Sequence, residues 1–174
     1  MTGRIFTADH HVYDLPPLLS WNVRHTGTVP CDSWSVTAVY QPEMLTVLRM
    51  AAGFAAIENG MTQLRGIVDE YTVELGSRGM TVTLSGRGYA ARLLDNESRP
   101  VTYEQVTLRE LLRCHAEPYG ISCGAAADLR STVPYTAGAG ISQWKVISEF
   151  CRTYGGFLPR FAKTGELLAT PEQD

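Results

Sequence analysis

Residues 61–84 read MTQLRGIVDEYTVELGSRGMTVTL, and this stretch decides the fold class. Residues 61–75 form one long strand. A tight turn at 76–79, bounded by glycines, reverses the chain. Residues 80–84 then set Met80, Val82 and Leu84 against Thr81 and Thr83, the period of two that belongs to a strand with one face in a core. Immediately upstream, Asn59-Gly60 is the strongest short hairpin signal, and it joins the long strand to another at residues 54–58. Further upstream, residues 33–40 oppose Trp34, Val36 and Ala38 to Ser33, Ser35 and Thr37. Residues 18–25 place Leu19, Trp21 and Val23 on one face. The loop between these runs, residues 26–32, holds Gly27 and Pro30. Gln41-Pro42 breaks the pattern, and Met44, Leu45, Leu48 and Ala52 line a short helix with Pro42 in its first turn. The N-terminal part is thus a meander of long antiparallel strands, the pattern of a barrel or a sandwich.

Downstream of Leu84 the period changes. Residues 85–88, Ser-Gly-Arg-Gly, read as a turn in which Gly86 or Gly88 takes a backbone conformation closed to other residues. A brief helix covers residues 89–94. A firmer one covers 107–116, opened by a capping box of Thr107 and Glu110, with Leu108, Leu111, Leu112 and His115 on one face and Pro118 ending it. Residues 119–123 read as a short strand and 124–140 as loop. A third helix over 141–154 buries Ile147, Phe150, Cys151 and Tyr154, and Gly155-Gly156 stops it. Residues 157–161 and 167–170 pair as a hairpin. The expected fold class is α+β: an N-terminal antiparallel β-barrel-like domain over 1–98, then a small α+β domain over 99–174.

Composition excludes several classes. The chain has 174 residues, 44% hydrophobic and 19% charged, with 15 Lys and Arg against 18 Asp and Glu. That is a globular composition, and a net charge of −3 gives no electrostatic grip on nucleic acid or an anionic membrane. The basic residues Arg4, Arg24, Arg49, Arg65, Arg78, Arg87, Arg92 and Arg99 are scattered without interleaved aromatics, so no nucleic-acid partner is expected. No stretch is apolar enough to span a bilayer, and residues 1–15 do not read as a secretory signal. Cys31, Cys114, Cys123 and Cys151 lack the close pairing of a zinc site. They are expected to be unpaired, buried thiols, with at least Cys151 buried on its helix stripe.

The chemical motifs have plain readings. Gly86-x-Gly88-x-x-Ala91 fits the dinucleotide fingerprint, but the βαβ unit and the later acidic residue that the fingerprint needs are missing. His10 and His11 would point to opposite faces of a strand. Asp69 would face away from Glu70, which shares a face with Glu74, and nothing makes these carboxylates converge. G-x-S-x-G, P-loop lysine and H-E-x-x-H motifs are all absent. Catalytic, cofactor-binding and metal residues are therefore expected to be none, with no cofactor.

The segment Arg65-Gly66-Ile67-Val68-Asp69-Glu70-Tyr71, the strand at 80–84, Ser85-Gly86-Arg87 and Leu93-Leu94-Asp95 together resemble the baseplate hub proteins of contractile-tailed phages, the Mu-like tail protein and late control D groups. Gly88 departs from the acidic or small polar residue usual there. The helices at 107–116 and 141–154, with Phe157 and Gly165-Glu166-Leu167-Leu168, are similar to the α/β module that follows in those groups, so the resemblance covers about residues 18–170. It implies a structural, non-enzymatic protein, assembled in a host cytoplasm into a virion tail baseplate or a prophage's contractile tail. It implies contacts with tail tube and spike proteins and a homo-oligomeric, trimeric ring. Members of those groups run longer, so the resemblance implies a shortened member, a fragment, or strands supplied by a partner chain. The residues alone leave a second class open: a small-ligand or carbohydrate-binding β domain, possibly an enzyme module.

Overall fold

The computed structural model describes residues 1–27, 30–77 and 79–172. In chain order the elements are β1 (Thr2–Thr7), β2 (Val12–Asp14), β3 (Leu18–Arg24), β4 (Ser33–Val39), α1 (Met44–Arg49), β5 (Ala51–Glu58), β6 (Met61–Gly76), β7 (Gly79–Gly88), α2 (Ala91–Leu94), β8 (Val101–Tyr103), α3 (Leu108–His115), a 3-10 turn (Glu117–Tyr119), β9 (Cys123–Ala126), β10 (Tyr135–Ala137), α4 (Gln143–Gly155), β11 (Arg160–Phe161) and β12 (Leu167–Ala169). The chain divides into two compact units, Met1–Tyr89 and Ala90–Asp174.

The first unit is one antiparallel sheet of seven strands in the order β2-β1-β5-β6-β7-β4-β3. Its inner face is set by the alternation. Ile5 lies opposite Phe54, Ala56 opposite Leu64, and Trp34, Val36 and Ala38 opposite Gly86, Leu84 and Val82. These residues are buried, with Met44 and Leu48 of α1 in the same core. The sheet bends so that its two halves meet: the Trp34 ring stacks on Phe54 with centroids 3.8 Å apart. Its first and last strands, β2 and β3, do not pair with each other, so the barrel-like expectation becomes an open, coiled sheet among the described residues.

The bend is made at Gly66 and Gly86. A Cβ on Gly86 would lie 2.0 Å from the Ile67 carbonyl oxygen and 2.9 Å from Trp34 Cζ2; one on Gly66 would lie 2.1 Å from the Arg87 carbonyl oxygen. Next to this crossing, a β-bulge between Val68 and Glu70 shifts the β6–β7 register. The expectation of a turn at 85–88 is therefore corrected: these residues complete β7. Neither Gly86 nor Gly88 has a positive φ. Gly86 is required because two backbones approach there, not because its own dihedrals are special.

Three other corrections concern boundaries. Ala52 belongs to β5, not to the preceding helix. Residues 119–123 are not a strand: the 3-10 turn ends on Gly120 with φ 70°, and the strand begins at Cys123. The loop-like 124–140 contains β10, paired with β8.

The second unit packs α3 and α4 with a small mixed sheet in which β11 pairs antiparallel to β12 and β12 parallel to β9. The Thr107–Glu110 capping box forms as expected. Ser142 caps α4 by accepting from the Lys145 amide, and Gly156 closes it with φ 72°. Leu108, Leu111, Leu112, Ile147, Phe150 and Cys151 are buried. His115 is 4% exposed and held on both nitrogens. Gln143 Nε2 donates to the Glu97 carbonyl (2.9 Å) and to the Tyr119 hydroxyl (2.7 Å). Its Oε1 therefore faces His115 Nδ1 at 2.6 Å, so Nδ1 carries the proton. Nε2 meets the Tyr103 hydroxyl at 3.0 Å, and burial pushes that phenol up to about 12.

Candidate functional site

The residue types that could carry chemistry are dispersed. His10, with φ 68°, and His11 lie in the turn between β1 and β2, not on a strand. His11 Nδ1 lies 2.9 Å from Asp9, and the Thr7 hydroxyl donates to the same carboxylate, which holds Asp9 below its ordinary range, the Thr7 hydrogen bond being the largest cause. His25 Nδ1 is 2.9 Å from Asp32, whose other oxygen accepts the Thr26 amide, and this pins the ends of the β3–β4 connection. Among the described residues no group of three or more His, Cys, Asp or Glu side chains is placed to hold a metal ion. No helix there is long and apolar enough to cross a membrane. Arg78 lies outside the described residues.

The four cysteines are all free. Cys151 is buried as expected; Cys123 is half-buried, and Cys31 and Cys114 are exposed, so the reading of buried thiols is corrected for them. Burial pushes the Cys151 thiol up to about 12, and burial aided by Glu117 pushes Cys123 to about 11. Neither has the depressed pKa of a nucleophile. Gly86 and Gly88 end a strand that leads to a helix of only four residues, and β8 beyond it pairs antiparallel with β10. That is not the parallel βαβ unit of a dinucleotide site.

What the sheet does present is an outer face and two open edges. Ser33, Ser35 and Thr37 of β4 lie opposite Arg87, Ser85 and Thr83 of β7, and the Thr37 and Thr83 hydroxyls are 3.0 Å apart. The bulge brings Asp69 and Glu70, expected on opposite faces, to partners on one face. Arg87 donates to both Asp69 oxygens at 2.8 and 3.0 Å, and the Ser85 hydroxyl donates to Glu70 at 3.0 Å. Among the described residues β3 has β4 as its sole strand neighbour, and β6 pairs with β5 only as far as Ile67. The β3 edge carries Trp21, 50% exposed although it lies opposite buried Val36. The far end of β6 carries Leu75, 81% exposed. Sequence alternation placed Trp21 with Leu19 and Val23 on one face of β3, and residues 61–75 read as one long strand, but neither reading could show that Trp21 and Leu75 lie beyond the core. Open edges and exposed apolar strand positions are features of surfaces that pair with other chains.

No family model matches the chain, and no curated protein matches it in sequence. Solved structures do match its fold. The tail protein from Neisseria meningitidis aligns over 96% of this chain and 49% of its own length, with TM-score 0.72 at 15% identity. The 43 kDa tail protein of prophage MuSo2 from Shewanella oneidensis aligns over 99% and 55%, with TM-score 0.74 at 14% identity. A component of the type VI secretion system of E. coli, described as structurally similar to the T4 bacteriophage tail proteins gp27 and gp5, aligns over 86% and 47%, with TM-score 0.50 at 12% identity. The chain spans about half the length of these proteins. Its fold is similar to that of these tail proteins across both units.

Proposed function

We propose that this chain is a structural component of a phage tail, or of a related contractile particle, and that it works at the baseplate hub by protein–protein contacts between tail tube and spike. The fold shared with two tail proteins over nearly the whole chain carries the reading. The open sheet edges support it, since a tail component is held by neighbours rather than by a ligand. In this reading it acts without a cofactor, is assembled in the host cytoplasm, and joins a three-fold ring, the closed outcome of a head-to-tail contact that turns by a fixed angle. The test is light scattering across a concentration series, with tail tube and spike proteins of the same particle added in turn. A trimer, or binding to either protein, supports the reading. A strict monomer that ignores every tail protein and binds or turns over a small carbohydrate overturns it.

A further inference from the structure

We propose that the outer edge of β3 adds, antiparallel, to the free second half of β6 in another copy of this chain, joining the copies into one continuous sheet. The two edges are the open sides of a single four-strand segment, β6-β7-β4-β3. Each step across it is antiparallel, so β3 and β6 run in opposite directions. A head-to-tail neighbour therefore meets β3 with an antiparallel β6, the geometry of strand addition.

Side-chain chemistry selects the register. On β3, Ser20, Asn22 and Arg24 lie opposite Thr37, Ser35 and Ser33 and so share the outer face. On β6, Glu70, Thr72 and Glu74 lie opposite Ser85, Thr83 and Thr81, on that same outer face. The inner face carries Trp21 and Val23 on β3 and Tyr71, Val73 and Leu75 on β6. Setting Asn22 opposite Thr72 of the next copy places Arg24 opposite Glu70, Val23 opposite Tyr71, Trp21 opposite Val73 and Ser20 opposite Glu74. Polar residues then meet polar, apolar meet apolar, and the one charge on β3 meets a carboxylate.

The same charges argue for a second copy joined head to tail rather than by a two-fold contact. Residues 69–76 carry three carboxylates and no cation, so pairing this edge with itself would gather Glu70 and Glu74 of both copies on one face. Pairing β3 with itself would leave Arg24 without an acid. The pairing would also cover Trp21 and Leu75, which the isolated sheet leaves 50% and 81% exposed. The inference supplies the copy-to-copy contact for the assembly proposed above and rests on that reading only for the closed three-fold form.

The experiment measures self-association of the full chain by light scattering across a concentration series. Arg24→Glu and Glu70→Lys should each weaken association about tenfold, because a favourable cross-strand pair becomes a like-charge pair. The double variant R24E/E70K should restore it, since every contact regains opposite charges. Circular dichroism checks that each variant is folded. As a second readout, Asn22→Cys with Thr72→Cys, in a background with Cys31→Ser and Cys114→Ser, should oxidise to a ladder of disulfide-linked copies, the two positions being opposed in this register. A parent chain that stays monomeric overturns the pairing, as do single variants that associate like the parent, or the lack of any cross-linked ladder. A chain that binds tube or spike proteins but never itself overturns this pairing and leaves the tail reading standing.

Discussion

Gly86→Ala tests whether the close approach of β6 and β7 organises the first unit. The added Cβ would sit 2.0 Å from the Ile67 carbonyl oxygen, a backbone atom that cannot swing aside, and 2.9 Å from Trp34 Cζ2. Relief requires the two strands to part by more than 1 Å at their crossing, given ordinary contacts of about 3.5 Å. That movement has three consequences. The substitution overfills a packed site, at a cost of about 1–3 kcal/mol. The Trp34 indole, which donates to the Ile67 carbonyl at 3.1 Å, is pushed off its acceptor, leaving a nearly buried pair unsatisfied for about 1–3 kcal/mol. The Trp34–Phe54 stack loosens, at about 1 kcal/mol. Together they amount to roughly 3–7 kcal/mol, a large share of the stability of an ordinary domain. The assay is urea unfolding followed by tryptophan fluorescence, with Gly88→Ala as the comparison. A Cβ on Gly88 meets only Asp32 Cβ at 3.1 Å as its nearest neighbour, so its cost should stay near about 1 kcal/mol. If Gly86→Ala unfolds within about 1 kcal/mol of the parent with unchanged Trp34 emission, the close approach does not support the sheet, and the reasoning fails.

Three further predictions concern the second unit and the thiols. Gln143→Leu removes the partners of His115 Nδ1, the Tyr119 hydroxyl and the Glu97 carbonyl at one stroke; it should lower stability by about 3 kcal/mol in thermal or urea unfolding. Glu110 is held below its ordinary range first by the Thr107 backbone amide and then by the Thr107 hydroxyl. Its contribution to helix stability should therefore be fully present above the unfolded carboxylate pKa and fade as pH falls through the lower folded value; carboxyl NMR titration should show Thr107→Ala raising that value. Thiol titration of the native protein should modify exposed Cys31 and Cys114 quickly, Cys123 slowly and Cys151 only on unfolding, giving four reactive groups without reductant.

The long hairpin over 61–84 was legible from the Asn59-Gly60 signal before it, the glycine-bounded turn at 76–79 and the alternation over 80–84, and the helices around His115 and Ile147 were legible from capping and from a 3.6-residue stripe. β1 was not legible for a physical reason. Its inward positions are Gly3, Ile5 and Thr7, and two of these three do not register as apolar although all are buried. β8 and β10 are three residues each, too short to show any period. The parallel pairing of β12 with β9 is a tertiary relation that local pattern does not encode. The candidate surface was half legible. The apolar face of β3 and the shared face of Glu70 and Glu74 on β6 could be read, but which strand ends the sheet, and where β5 stops covering β6, depends on topology. The bulge at Asp69 also overturned a face assignment that strict alternation had made, because one extra residue moves every later side chain to the other face.

That bulge ties the core to the open edge. β6 has 16 residues, far more than β5 can cover, and its last pair with β5, Gly53 opposite Ile67, falls at the residue whose carbonyl nearly touches Gly86. Up to that point β6 belongs to the half of the sheet that carries Ile5, Phe54 and Leu64. Beyond it, β6 follows β7 and β4 into the half that carries Trp34, Val36 and Val82. Folding the halves over one another buries both apolar faces without closing a barrel, and the same bend carries the second half of β6 away from β5. The unpaired edge from Glu70 to Gly76 is thus a geometric consequence of how the core is closed. A substitution that straightens β6 at Gly66 or Gly86 would weaken the core and also displace the edge on which the copy-to-copy pairing depends.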